Sequence, residues 1–437
     1  MYLLYSALLA AGLLLSIPYW LLKRLRHGKY SSGLPERLGK VPPRLQSEPS
    51  RPAIWVHAVS VGEVLAVSGL VEELQRRLPE YRILVSTTTD TGQKLARTRF
   101  GEGNVFYFPL DFPFAIRPYL ERLRPNLAVI AETEFWPNFL RLAHQSGTRV
   151  AVVNARISDR SFPRYLRFRP LLAQILQNVD LFLAQTDTDA QRLKQVGASP
   201  DRVQVTGNLK YDVAAPAALP IVSSLRLAFA QAHAGPVFVC GSTVEDEEPL
   251  LVRAFENVLA AHPQAVMILA PRHPERFPQV AELLQQMGAC FWRRSLWSGD
   301  PIAGGVLLLD SIGELAALYA LADVAFVGGS LVPRGGHNIL EPAQHGVPIV
   351  VGKHTENFRD IVELFQSRDA VRIVEPAEVS LVFTELANNE AERKALGRRA
   401  AETLRLQTGA TQRTAQALVG LLAESAPSLA ASSKESQ

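Results

Sequence analysis

Residues 53–86 read AIWVHAVSVGEVLAVSGLVEELQRRLPEYRILVS, and this stretch decides the fold. Ala53–Val56 is a short apolar run, as expected of a strand buried on both faces. Val64, Val67, Leu70, Val71, Leu74 and Leu78 then recur at three- and four-residue intervals, the spacing of a helix with one apolar face. Arg82–Ser86 returns to a strand-like run. Strand, helix and strand at this spacing make a parallel βαβ unit, because parallel strands need a long crossover.

The alternation continues outward. Leu127–Ala131, Arg149–Asn154, Leu181–Ala184 and Val203–Val205 read as further strands. Around Asp212–Ser224 the pattern breaks into Ala-Ala-Pro-Ala-Ala-Leu-Pro. A second series follows at Pro236–Cys240, Ala265–Ala270, Val306–Leu309, Val324–Val327 and Pro348–Val351. We therefore expect an α/β protein with two doubly wound Rossmann-like domains, 52–211 and 235–424, joined by a linker at 212–234. A chain of 437 residues suits two cores better than one. Ligands of such sheets bind beyond the carboxyl ends of the strands, here in a cleft between the domains. The last helical stretch, Glu378–Glu424, could cross back onto the first domain. Residues 425–437 are small and polar and read as a disordered tail.

The amino terminus differs. Met1–Leu22 contains no Asp, Glu, Lys or Arg, and Lys23, Arg24, Arg26, His27 and Lys29 follow at once. About 20 apolar residues span a bilayer as a helix, and flanking cations stay on the cytoplasmic side. The expectation is a transmembrane anchor at 1–22 with a basic tether at 23–51. A helix lying deep in the interface fits the same text. A cleaved signal peptide fits less well, lacking a basic n-region and a small-residue cleavage site. Cys240 and Cys290 stand outside any CxxC or Cys/His cluster, which argues against a disulfide framework or structural zinc. No nucleic-acid-binding pattern occurs, so nucleic acid is not an expected partner.

Charged residues fall at the predicted strand ends. His57-Ala58-Val59-Ser60-Val61-Gly62-Glu63 follows the first strand. Glu63 suits either a helix-start carboxylate or a general base facing the cleft, and the local pattern does not choose. In Ala131-Glu132-Thr133-Glu134, Glu132 lies nearest the strand end and is the better candidate for an active-site role, while helix-start amides could satisfy Glu134. Lys210, in Thr206-Gly207-Asn208-Leu209-Lys210, is either a solvated lysine or a cation for a leaving phosphate. In the second half, Pro271-Arg272-His273 follows a strand, and Ser311-Ile312-Gly313-Glu314 begins a helix. Gly328-Gly329-Ser330 follows a further strand, and Gly335-Gly336-His337-Asn338-Ile339-Leu340-Glu341 comes next. Asn338 and Glu341 match a capping box; equally, a glycine-rich loop at a helix start is an anion site and Glu341 could hold ribose hydroxyls. Arg156, Arg160, Arg164, Arg167 and Arg169, interleaved with aromatics, read as a solvated face or, beside a membrane anchor, as a surface for anionic lipid.

Taken together, the motifs GLPERLG (33–39), HAVSVGE (57–63), ETEFWPN (132–138), NARISDRS (154–161), TGNLKYD (206–212), APRHPERF (270–277) and GGHNILEPA (335–343) resemble the Kdo (3-deoxy-D-manno-octulosonic acid) transferase family of lipopolysaccharide synthesis. The resemblance runs from the N-terminal anchor to about residue 420. It implies a GT-B fold and inverting transfer of Kdo from CMP-Kdo to lipid IVA, without a metal or other cofactor. It further implies attachment to the bacterial inner membrane, with the catalytic domains on the cytoplasmic side. It makes Glu63 the base, with Glu132 and Lys210 stabilising the transition state. It assigns CMP to Pro271 and Arg272, to which we add His273, to Ile312, Gly313 and Glu314, and to Asn338, Ile339, Leu340 and Glu341. Three other readings compete: a GT-B enzyme using a UDP-sugar, a non-catalytic lipid-binding scaffold, and a nucleotide-sugar epimerase on the same fold.

Overall fold

The structure is a computed structural model and describes residues 1–27, 33–46, 51–212 and 219–424. It divides into two compact units, Met1–Asp212 with Thr408–Gln437, and Val213–Gln407. The expected tail at 425–437 lies outside the described residues.

In the first unit seven parallel strands are β1 (Ala53–His57), β2 (Arg82–Thr87), β3 (Val105–Tyr107), β4 (Pro125–Ala131), β5 (Arg149–Ala155), β6 (Leu181–Ala184) and β7 (Val203–Val205). Their order is β3-β2-β1-β4-β5-β6-β7. Chain order therefore reverses between β1 and β4, where open α/β sheets leave a crevice at the strand carboxyl ends. Apolar side chains pack on both faces. Trp55, Phe106, Tyr119 and Phe139 fill one layer, and Ile54, Val56, Val67 and Leu70 the other. The helix Ala410–Ala423 joins the second layer through Ala415, Leu418 and Leu422. The chain thus returns to the first unit, and its last helix, although inside the range 235–424 expected for the second domain, belongs to the first.

The second unit repeats the plan. Strands β8 (Val237–Thr243), β9 (Val266–Pro271), β10 (Phe291–Arg293), β11 (Gly305–Leu308), β12 (Val324–Val327), β13 (Ile349–Gly352) and β14 (Arg372–Val374) are ordered β10-β11-β9-β8-β12-β13-β14, all parallel. Its reversal lies between β8 and β12. Part of the expected linker is structured here. Pro220–Gln231 is a helix whose Leu225 and Phe229 are buried against this sheet, so apolar periodicity outweighs the flanking prolines.

Two N-terminal expectations change. Tyr2–His27 is one helix of 26 residues. Among the described residues, however, no helix is long and apolar enough to cross a membrane, so the transmembrane span is not established. From Tyr2 to Ser16, the half-buried positions are Tyr2, Tyr5, Ser6, Leu9, Ala10, Leu13 and Ser16, a stripe at helical spacing. Leu3, Leu4, Leu8, Leu14 and Leu15 remain exposed. Nor is the tether loose throughout. Glu36 accepts the Tyr107 amide at 2.8 Å and an Arg44 guanidinium at 2.7 Å, and Arg37 stacks 4.4 Å over the Tyr107 ring. Residues 33–46 are docked beside β3.

Candidate functional site

The first unit gathers its charged residues at the β1/β4 reversal. Ser60 caps the helix Val61–Arg77, which places Glu63 in the first turn. The Glu63 carboxylate accepts the Val59 amide at 2.8 Å and the Ser60 hydroxyl at 2.9 Å. The helix-start role is therefore real. It leaves the carboxylate buried, however, with two donors and two like charges nearby. Burial first, and then the charges of Glu132 and Glu134, push its pKa from 4.5 up to about 7, against the pull of the two hydrogen bonds. A carboxylate so poised is half-ionised at neutral pH.

Glu132 follows β4 with φ 56°, and Asn154, near the end of β5, has φ 54°. Left-handed backbone is uncommon without glycine, and neighbouring strands here carry one such residue each. Glu132 meets the Lys210 ammonium at 3.1 Å. Lys210 is therefore paired rather than a free surface lysine. Its loop is fixed by side chains: Asn154 Oδ1 accepts the Leu209 amide and Asn208 Oδ1 the Lys210 amide, both at 3.0 Å. The structure thus brings Glu63, Glu132 and Lys210 into one cluster.

Two members were missed in the sequence. Helix-start amides were one reading for Glu134, but those of Asn138 and Phe139 are taken by the Asp111 carboxylate, at 3.0 and 2.8 Å. Glu134 instead stands half-buried, its pKa raised by burial and by Glu132. Asn154 carried only the weak signal of an asparagine where a strand ends, a residue that tolerates left-handed backbone.

The second unit holds the other candidates. Pro271 ends β9, and Arg272 is exposed just beyond it, its amide bonded to the Thr243 carbonyl at 2.8 Å. The charge of Arg272 acts on both His337 and Glu341. Burial, followed by the Arg272 cation and the neighbouring His273, lowers the pKa of His337 to about 4. Burial raises that of Glu341. Arg272, His273, His337 and Glu341 therefore share one neighbourhood. The capping box is not formed as expected. The helix begins at Leu340, one residue late, and Asn338 Oδ1 accepts the Leu340 amide at 3.1 Å. Asn338 Nδ2 meets Glu341 at 3.4 Å, while Ile339 and Leu340 are buried. Ile312 is exposed, Gly313 has φ 88°, and Glu314 is ion-paired with Arg294 at 2.8 Å.

The other glycine-rich segment, Gly328-Gly329-Ser330, holds a carboxylate of its own chain. The wholly buried Glu247 carboxylate accepts the amides of Val244, Gly329, Ser330 and Leu331 at 2.8–3.0 Å. The glycine-rich turn after β12 thus cradles the protein's own side chain. Gly328 is required there, since a Cβ would stand 2.6 Å from the Ser242 carbonyl oxygen.

Comparison with known proteins follows this geometry. Residues 32–213 match the family model described as 3-deoxy-D-manno-octulosonic-acid transferase. The 3-deoxy-D-manno-octulosonic acid transferase of Bordetella pertussis is 38% identical over 93% of this chain and 96% of its own. This chain belongs to the Kdo transferase family. It is accordingly a glycosyltransferase. The C-terminal CMP-Kdo binding domain of WaaA from Acinetobacter baumannii is 35% identical, covering 42% of this chain and 97% of that one, with a TM-score of 0.40. UDP-GlcNAc 2-epimerase from Neisseria meningitidis, at 13% identity and a TM-score of 0.52, covers 84% of this chain and 100% of its own. That likeness shows the fold alone, two parallel α/β sheets of the GT-B kind.

Proposed function

We propose that this Kdo transferase moves Kdo from CMP-Kdo to lipid IVA, with Glu63 as general base. The observation that carries the reading is a buried carboxylate, its pKa pushed to about 7, beside a Glu132–Lys210 pair. A base whose pKa matches the working pH combines an ionised fraction with real proton affinity. Glu63 takes the proton from the acceptor hydroxyl as that oxygen attacks the anomeric carbon. The Kdo–phosphate bond breaks and CMP leaves with the electron pair, inverting the centre. Glu132 and Lys210 stabilise the charge that develops.

In the second unit, Arg272 and His273 supply cationic and hydrogen-bonding groups for CMP. Ile312, Gly313 and Glu314 line its approach, and the segment Asn338–Glu341 holds the nucleoside. The Arg272–His337–Glu341 grouping supports this assignment. Protein cations offset the phosphate charge, so transfer proceeds without a metal and survives EDTA.

The acceptor is a lipid, and the enzyme meets it at the cytoplasmic face of the inner membrane. The N-terminal helix rests on the first unit by its half-buried stripe and presents leucines outward. Arg160, Arg164, Arg167 and Arg169 are exposed beside exposed Leu166, Phe168 and Leu171. Apolar side chains flanked by arginines suit an interfacial helix on anionic lipid. The test is transfer from CMP-Kdo, generated in situ, to tetraacyl lipid A precursor, with products weighed by mass spectrometry. A Kdo-bearing product, absent with Glu63→Ala, supports the reading. No product from folded protein in several detergents, or inhibition by UDP but not CMP, refutes it and favours a UDP-sugar donor.

A further inference from the structure

The N-terminal helix does more than present leucines. Its inner face ends in a buried polar cluster. Asp111 is 2% exposed and its carboxylate accepts the first two backbone amides of the helix Pro137–Gln145, those of Asn138 and Phe139. That helix has no side-chain cap of its own, so Asp111 supplies one from a distant part of the chain. Tyr5 adjoins the same carboxylate, and burial together with the Asp111 charge raises the pKa of its hydroxyl. Asn138 Nδ2 donates to the Asp111 carbonyl at 2.6 Å and to the Ser6 hydroxyl at 3.0 Å. One turn further on, the Arg141 guanidinium lies 4.5 Å over the Tyr2 ring.

Residues 132–136 form the short connection between β4 and this helix, and they carry Glu132 and Glu134. One end is held by the sheet, where the Glu132 amide donates to the Val153 carbonyl at 2.8 Å. The other end is held by the Asp111 cluster. Tyr5 and Ser6 close that cluster, while the exposed leucines point elsewhere. The N-terminal helix therefore touches the fixed point from which the segment bearing the two carboxylates extends.

We propose that the N-terminal helix acts on the reaction through Asp111, a positioning residue that couples the seating of this helix to the segment bearing Glu132 and Glu134. The proposal rests on the functional reading above for its effect on turnover, but the coupling itself is visible without activity. The experiment uses the full chain with Tyr5→Phe and Ser6→Ala combined, which removes two hydroxyls and keeps the packing and the outer leucines. A second variant, Asp111→Asn, weakens the cap directly. Hydrogen exchange is followed for residues 5–13 and 132–139, alongside kcat and the KM for the CMP-activated donor.

Coupling predicts that amide exchange across 132–139 accelerates about tenfold or more in both variants. It predicts that kcat falls about tenfold while the donor KM stays put, as for a displaced catalytic group. Unchanged exchange at 132–139 in both variants overturns the proposal. So does faster exchange there with kcat intact. Faster exchange in the variants of a chain whose wild type transfers no Kdo leaves the coupling standing and sinks the functional reading instead.

Discussion

Glu63 ties the proposed mechanism to a pH that can be measured. Moving a carboxylic acid from 4.5 to about 7 corresponds to ~3 kcal/mol favouring its neutral form. Burial supplies most of this, and Glu132 and Glu134 add to it. With a pKa near 7, roughly a tenth of the sites are ionised one pH unit below and about nine-tenths one unit above. The rate should therefore climb tenfold per unit below pH 7 and level off by about pH 8. The assay is initial transfer rate between pH 5.5 and 9 at saturating donor. Acceptor phosphates also titrate in this range, so the wild type is run beside Glu134→Gln. That substitution removes one negative neighbour and leaves the substrates alone, and it should move the acid limb to lower pH. The limb belongs to the group of carboxylates rather than to one residue. Stability gives an independent reading. A raised pKa stabilises the fold below the unfolded value of 4.5, and this contribution is lost as pH rises through about 7. Relative to Glu63→Gln, the wild-type first unit should thus lose up to ~3 kcal/mol between pH 4.5 and 8. A rate flat from pH 5.5 to 8, or a limb unmoved by Glu134→Gln, refutes Glu63 as the titrating base.

Three further outcomes are expected. Lys210→Ala strips Glu132 of the cation 3.1 Å away and should lower kcat on the order of a hundredfold, with partial recovery in Lys210→Arg, read by single-turnover transfer. Asn154→Gly keeps the left-handed backbone but loses the acceptor for the Leu209 amide, so kcat should fall about tenfold, while Asn154→Asp, which keeps that acceptor, should stay near wild type. Glu247→Ala orphans four buried amides and should destabilise the second unit by more than ~4 kcal/mol in urea unfolding, at 1–3 kcal/mol for each group left unpaired.

The fold was legible because parallel strands covered on both faces are nearly continuous apolar runs. Ala53–Val56 and Leu127–Ala131 are such runs, and both lie wholly inside observed strands. The strands the sequence hid are β3, β10 and β14, each of three residues and each at a sheet edge, where half the pairing and much of the burial are absent. That Glu63, Glu132 and Lys210 would come together was legible for a different reason. Their motifs sit directly after strands, and doubly wound sheets gather such segments at one end. Asp111 was not legible. Nothing local marks it, and its role arises from amides more than 25 residues away and from Tyr5 at the other end of the domain. Nor was the pairing of Glu247 with the turn after β12 legible, since the carboxylate and the amides it meets lie more than 80 residues apart.

Glu247 points to a relation between the two units. Each places a glutamate just beyond its first strand, at the reversal of strand order: Glu63 after β1 and Glu247 after β8. Both are buried, and burial raises the pKa of both. Their surroundings then part. Glu247 meets four backbone donors, two on each oxygen, with its neighbours drawn from the turn after β12. Every strong acceptor direction is used, and the group is left with a structural task. Glu63 meets one backbone donor and one hydroxyl, and the strand across the reversal brings carboxylates instead of amides. It keeps acceptor capacity and proton affinity, which a base needs and a structural plug does not. Under the proposed function one fold position serves stability in one unit and chemistry in the other, and the difference lies in what the strand across the reversal delivers: Glu132 and Glu134 after β4 in the first, and the backbone amides of Gly329, Ser330 and Leu331 after β12 in the second.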